Sequence, residues 1–173
     1  MITYFVHSTS RDNEVSVKSG WSNPLLSELG LKQAEELRQL VKDKQFDFVF
    51  TSDLQRAVKT AEIVFPDAPV KRDERLREMN YGLLNGQPGS IFPENPYWCI
   101  ENRFEQGECC LDVQERIEQF LSEHYEQGLH IAVVAHRYPQ LAFEVIFNKL
   151  SWPEALDQDW RKVGVWQASW TYD

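Results

Sequence analysis

Short continuous apolar runs alternate along this chain with stretches whose apolar positions recur every three or four residues. That rhythm predicts strands and helices in turn. Ile2-Thr3-Tyr4-Phe5-Val6 predicts a buried strand, and the polar stretch to Asn23-Pro24, with Gly20, predicts a loop. Ser27 stands where a helix cap belongs, ahead of an expected inward face of Leu31, Ala34, Leu37, Leu40 and Val41. Asp47–Thr51, carrying Phe48-Val49-Phe50, predicts a second strand. Ser52 or Asp53 is the expected cap of the next helix, with Leu54, Ala57, Val58, Ala61 and Val64 on one face. Pro66 and Pro69 close it, and Val70–Arg72 is a short strand candidate.

From Asp73 to about Cys110 the pattern breaks, punctuated by Pro88, Pro93, Pro96, Gly82, Gly86 and Gly89. Its part from about 85 to 110 reads as an insertion or lid over a site. Asp112 with Glu115 resembles a capping box opening a helix lined by Val113, Ile117, Phe120 and Leu121. Ile131–Ala135 is uniformly apolar, as in a strand buried on both faces. Pro139 suits the first turn of a helix carrying Leu141, Ala142, Val145 and Ile146. The tail from Trp152 predicts a final strand near Val163–Thr171. Strands alternating with helices predict an α/β fold, a three-layer α/β/α sandwich with a mainly parallel sheet. With 173 residues, one domain over 1–173 is expected.

Composition narrows the function. At 42% hydrophobic and 13% aromatic the chain can bury a core. A net charge of −9 argues against wholesale nucleic-acid binding, although a few converging Arg residues still suffice to hold an anion. Cys99, Cys109 and Cys110 make an odd set with two neighbours, a poor disulfide framework, and are expected to be reduced thiols. No run is long enough to span a membrane, and the start lacks a signal-peptide pattern, so a soluble cytoplasmic protein is expected.

Two histidines carry the chemistry. His7 follows the first strand and His136 follows Ile131–Ala135. Imidazoles at two carboxyl strand ends can meet at one sheet edge, where open α/β sheets bind ligands. A third strand end, Thr51-Ser52-Asp53-Leu54-Gln55-Arg56, turns into a helix whose amino end favours an anion, with Arg56 in its first turn. Glu78, in Arg75-Leu76-Arg77-Glu78, either offers a carboxyl group to this site or pairs with Arg75 or Arg77. His124 and His130 lack such context and read as surface residues. The Trp residues at 152, 160, 166 and 170 read as packing, while Tyr97 and Trp98 either pack or line a substrate mouth.

The order of these segments resembles the histidine phosphatase superfamily, which includes the phosphoglycerate mutases. The anchors are His7 with Asn13 behind it, Pro24-Leu25-Leu26-Ser27-Glu28-Leu29-Gly30, Thr51-Ser52-Asp53-Leu54-Gln55-Arg56-Ala57, Arg75-Leu76-Arg77-Glu78-Met79-Asn80-Tyr81-Gly82, Gly107-Glu108-Cys109 and His136. The resemblance implies a phosphoglycerate mutase-like fold. It implies His7 as a nucleophile that becomes phosphohistidine, Glu78 as general acid and base, and His136 and Arg56 on the phosphoryl oxygens. It further implies Asn13, with Ser10 and Arg11, in a phosphate loop, and neither metal nor cofactor. The chain departs from the usual Arg-His-Gly: it has Val6-His7-Ser8, so the Arg before the nucleophile is missing. Arg11 or Arg137 is the expected source of the missing charge. Three functions follow: a phosphomonoester phosphatase first, then a phosphoglycerate mutase, then a catalytically weakened phospho-ligand-binding module. The expected partner is a small phosphorylated substrate, with neither nucleic acid nor membrane, and the Trp-rich tail leaves room for a homodimer.

Overall fold

A computed structural model describes residues 1–163 and 167–173. The strands are β1 (Ile2–Val6), β2 (Val17–Lys18), β3 (Phe48–Thr51), β4 (Val70–Arg72), β5 (Gln87–Pro88), β6 (Ile131–Ala135) and β7 (Trp170–Tyr172). The helices are α1 (Arg11–Glu14), α2 (Glu28–Val41), α3 (Gln55–Val64), α4 (Cys110–His124), α5 (Arg137–Phe147), α6 (Trp152–Asp157) and α7 (Trp160–Val163). The main sheet runs β4-β3-β6-β1-β7. Its first four strands are parallel, with Ile2 opposite Ile131 and Val6 opposite Ala135, and β7 joins β1 antiparallel.

The alternation within the strands makes three layers. Ile2, Tyr4, Phe50, Ile131 and Val133 face one side and pack with Val113, Ile117 and Phe120 of α4 and Leu141 and Phe143 of α5. Phe5, Val49, Ala132 and Val134 face the other, against Ala34 and Val41 of α2 and Ala61 and Val64 of α3. Both faces of β6 are therefore dry, as its sequence predicted. No helix among the described residues is long and apolar enough to cross a membrane.

Several boundaries differ from expectation, each for a tertiary reason. On α2 the buried line is Gly30, Ala34 and Val41. Leu31 and Leu40, 39% and 62% exposed, flank that line on opposite sides at 3.6 residues per turn. Neither Ser52 nor Asp53 caps α3: its N-cap is Leu54, because Ser52 is drawn to His136 and Asp53 to Arg77. Helix α4 starts earlier than expected. Cys109 is its N-cap and Asp112 the third helical residue, whose carboxylate accepts the Cys109 N–H at 2.9 Å. In the tail, Trp160–Val163 is helical and the strand begins only at Trp170; positions 164–166 of the expected strand, Trp166 included, lie outside the described residues.

The segment from 85 to 110 departs most. Much of it turns inward: Phe92, Cys99 and Phe104 are buried, although Tyr97 stays exposed, and Tyr81 meets Phe92 and Phe104 edge-on at 5.0 and 5.2 Å between ring centroids. Trp98 packs on Phe104, and the Tyr97 hydroxyl donates to Asp157. Cys99, Cys109 and Cys110 are free thiols. His124 lies against Phe50 and Phe120, and His130 bonds Thr3, so neither is the plain surface residue expected.

Candidate active site

The carboxyl ends of the parallel strands open on a cavity of about 730 Å3, whose wall includes His7, Arg56, Glu78 and Arg137. His7 continues the ladder by one step, its backbone N–H donating to the Ala135 carbonyl at 2.9 Å. Its ring is held from both sides. Nδ1 lies 2.7 Å from the Ser8 carbonyl, which can only accept, so Nδ1 carries the proton. Nε2 accepts from Arg56 Nε at 3.2 Å and therefore keeps its lone pair. Burial, and then the Arg56 charge, pulls the His7 pKa down to about 3, so the ring is neutral at pH 7.

Arg56 is almost fully buried in the first turn of α3. It donates through Nη1 to the Ser22 carbonyl at 2.9 Å and through Nη2 to the Gly20 carbonyl at 2.8 Å. Those two bonds draw the loop at 20–22 against α3 and leave Nε aimed at His7. Thr60, one turn further on, accepts the Ser8 N–H at 3.1 Å and donates to the Arg56 carbonyl at 2.8 Å. Helix α2 approaches the same loop through Gly30, where a Cβ would stand 2.0 Å from the Thr9 carbonyl oxygen. Only glycine allows that approach.

His136 is the N-cap of α5, fully buried, its ring centroid 5.0 Å from that of His7. Tyr4 fixes its backbone: the hydroxyl accepts the His136 N–H at 3.0 Å and donates to the His136 carbonyl at 2.7 Å. Nε2 lies 2.6 Å from Ser52 Oγ. Nδ1 is buried with no hydrogen-bond partner among the described residues. Burial, with the Arg56 and His7 neighbours, holds the His136 pKa well below its ordinary value.

Glu78 does not pair with Arg75 or Arg77, which bind Asp73 and Asp53 instead. Its Oε1 accepts the Met79 and Tyr138 N–H groups at 2.9 and 3.0 Å, and its Oε2 accepts the Arg137 N–H at 3.3 Å. Two of these donors are open N–H groups at the start of α5, a natural seat for an anion. The Glu78 carbonyl is held as well, by Trp21 Nε1 at 2.7 Å and Arg116 Nη2 at 3.1 Å. Arg116 also pairs with Glu108 at 3.0 Å, and Glu108 exchanges bonds with the Asn80 backbone. At Gly107 a Cβ would meet the Asn80 carbonyl oxygen at 2.4 Å. The Gly107-Glu108 pair is thus the brace of the Glu78 loop.

The remaining expected site residues scatter. Asn13 lines the cavity, with Oδ1 held by the Ser10 N–H and hydroxyl at 2.9 Å and its NH2 without a partner among the described residues. Ser10 is fully buried as the N-cap of α1, outside the cavity wall. Arg11 is exposed and also outside it, because the first turn of α1 carries its side chain away. No described residue from 85 to 110 lines the cavity, since that segment spends its side chains on the core. Its expected place over the site is taken by Val17–Gly20 and by Trp160, Arg161, Gln167 and Ala168. Sequence reasoning missed Lys18 and Arg161, which no local pattern marks. It also named Ser52 only as a helix cap.

Comparison with known proteins identifies the family and the fold. The model of the histidine phosphatase superfamily (branch 1) matches residues 6–167. A phosphoglycerate mutase of Schizosaccharomyces pombe is 38% identical over 87 residues, 46% of this chain and 41% of that protein. The chain thus spans less than half the length of the curated relatives it matches. A mycobacterial glucosyl-3-phosphoglycerate phosphatase, solved with VO3, superposes with a TM-score of 0.75 at 26% identity, covering 88% of this chain and 85% of that one. The alpha-ribazole phosphatase of Shigella flexneri shares the fold with a TM-score of 0.79 at 23% identity, over 89% and 82% of the two chains.

Proposed function

The chain belongs to the histidine phosphatase superfamily, and we propose that within it the protein is a phosphomonoesterase working through phosphohistidine on His7. One observation carries the reading: a neutral imidazole with its Nε2 lone pair free of a proton, fixed by Ser8 and Arg56, faces the cavity that Glu78 also lines. Nε2 attacks phosphorus and forms an N–P bond while the ester P–O bond breaks. Glu78 protonates the departing oxygen; Oε2, with the longest of the three contacts, is the oxygen suited to hold that proton. Water then attacks the phosphohistidine, Glu78 takes its proton, and orthophosphate leaves. Arg56 Nε, displaced from Nε2, supplies one donor to the phosphoryl oxygens, and the orphaned Nδ1 of His136, buried beside His7 and outside the cavity wall, is the second donor we assign.

The mutase reading draws on the sequence relatives, which are named as mutases. It is the weaker one, because the curated mutases are matched over less than half their length, and among structural neighbours matched over most of theirs the named phosphatases reach 25% and 26% identity against 21% for a named mutase. The test is hydrolysis of an aryl phosphate without added metal, comparing wild type with His7→Ala. The variant should lose activity by at least about 10⁴-fold. Phosphate should be trapped on His7 in a cold quench that avoids acid, read by mass spectrometry. Absence of turnover across many phosphomonoesters overturns the reading, and phosphoglycerate interconversion outrunning hydrolysis favours the mutase.

A further inference from the structure

We propose that Arg161, from the carboxyl-terminal segment, is the phosphate-binding cation that replaces the Arg missing before His7. The proposal rests on the reading of the cavity as a phosphate pocket. Position 6 is Val, and Arg56 has already committed Nη1 and Nη2 to backbone carbonyls, so a phosphoryl dianion needs a second cation. Besides Arg56, the cavity wall holds Lys18, Arg137 and Arg161. Lys18 sits over the Phe92 ring, its ammonium 4.2 Å from the centroid. Arg137 is turned aside: its Nε binds Asp159 at 2.5 Å and its guanidinium lies over the Tyr138 ring.

Arg161 also lies over a ring, its guanidinium 4.5 Å from the Trp160 centroid, but it is set apart by its reach toward His7. It gives Asp159 only its backbone N–H and Nη1, each at 3.1 Å. Nε and Nη2 have no partner among the described residues, and the side chain, 28% exposed, stands in the cavity wall. Its charge reaches both chemical groups, adding to the fall in the His7 pKa and feeling the Glu78 carboxylate. Asp159, with a fully buried side chain, is the brace that aims it. Burial pushes the Asp159 carboxyl up, but Arg137 and Arg161 outweigh that and keep it below the usual range. Two arginines on one carboxylate leave one positive charge in excess; both keep free donors, and Arg161 is the one whose charge reaches His7.

The experiment is calorimetric titration of the unphosphorylated protein with orthophosphate, which needs no turnover. Arg161→Gln should weaken phosphate about 10- to 100-fold, the range of one charge-assisted contact. Arg161→Lys should recover part of the loss, keeping charge without the fork. Arg38→Gln, removing an exposed charge on α2, should leave affinity unchanged. Equal binding by wild type and Arg161→Gln overturns the proposal, as does a loss confined to Arg11→Gln. Should Arg161→Gln melt early, the Lys variant decides: native melting with affinity recovered in part or in full supports the proposal, and native melting with the full loss overturns it in favour of a packing role. Wild type that binds no orthophosphate overturns the phosphate-pocket reading itself.

Discussion

The cavity has two walls built on different principles. One is set by the sheet: His7 and Arg56 follow parallel strands, bonding each other and the backbone, and His136 lies beside them with its ring on Ser52. The other is hung on a single buried carboxylate, Asp159, which holds Arg137 and Arg161. The first wall has many independent restraints and the second has few. Geometry that chemistry demands is therefore over-determined, whereas the surface facing the rest of the substrate can change without disturbing the strands.

The largest effect expected of this division falls on Glu78. Its carboxylate is anchored at the start of α5 on the sheet side, so Glu78→Gln should preserve orthophosphate affinity to within about threefold and lower kcat about 10²- to 10⁴-fold. The loss should be larger for alkyl than for aryl phosphates, because a poor leaving group depends most on the donated proton. Equal losses for both substrate types would remove the acid role and leave Glu78 as a helix-capping anion. On the other wall, Asp159→Asn should weaken orthophosphate only several-fold, less than Arg161→Gln, because it loosens the arginine without removing it. A loss larger than that of Arg161→Gln would make Asp159 the keystone of the whole segment rather than a brace for one side chain.

The same division explains what the sequence revealed. His7, Arg56 and His136 were legible because each directly follows or soon follows an apolar run, and parallel order brings such ends to one edge. Ser27 was legible as a cap because its bonds to α2 are local, the hydroxyl accepting the Gly30 N–H and the carbonyl the Leu31 N–H. Ser52 was misread because His136, far away in the chain, takes its hydroxyl. Cys109 was passed over because cysteine is a rare cap, and the reciprocal carboxylate of Asp112 was mistaken for the cap itself. The aromatics between 85 and 110 have no period that tells inward from outward, so a segment that fills the core resembled a lid. Arg161 carried no signal at all, since its pairing with Asp159 is local and only the tertiary placement of that segment in the cavity wall selects it from the other cations of the tail.

The smallest of these effects, and the one that separates the walls by stability, is a pH dependence. His7 titrates near 3 in the folded protein and His136 well below its ordinary value, against about 6.5 for an unfolded histidine. Above pH 6.5 both states are neutral and stability is unaffected. Below it the unfolded chain binds protons that the folded chain refuses, so stability falls as pH drops from 6.5 towards 3. Each buried histidine contributes a slope of about 1.4 kcal/mol per pH unit at most. Asp159 adds its own loss only lower, as pH falls through the carboxylate range. Between pH 7 and 5 the melting temperature of wild type should therefore decline, and His7→Asn should decline less steeply by a few degrees. His130, whose pKa is also lowered by burial, contributes equally to both proteins and cancels. Parallel declines would mean that His7 is protonated in the folded protein at mild acidity, and the neutral nucleophile proposed for this wall would be lost with it.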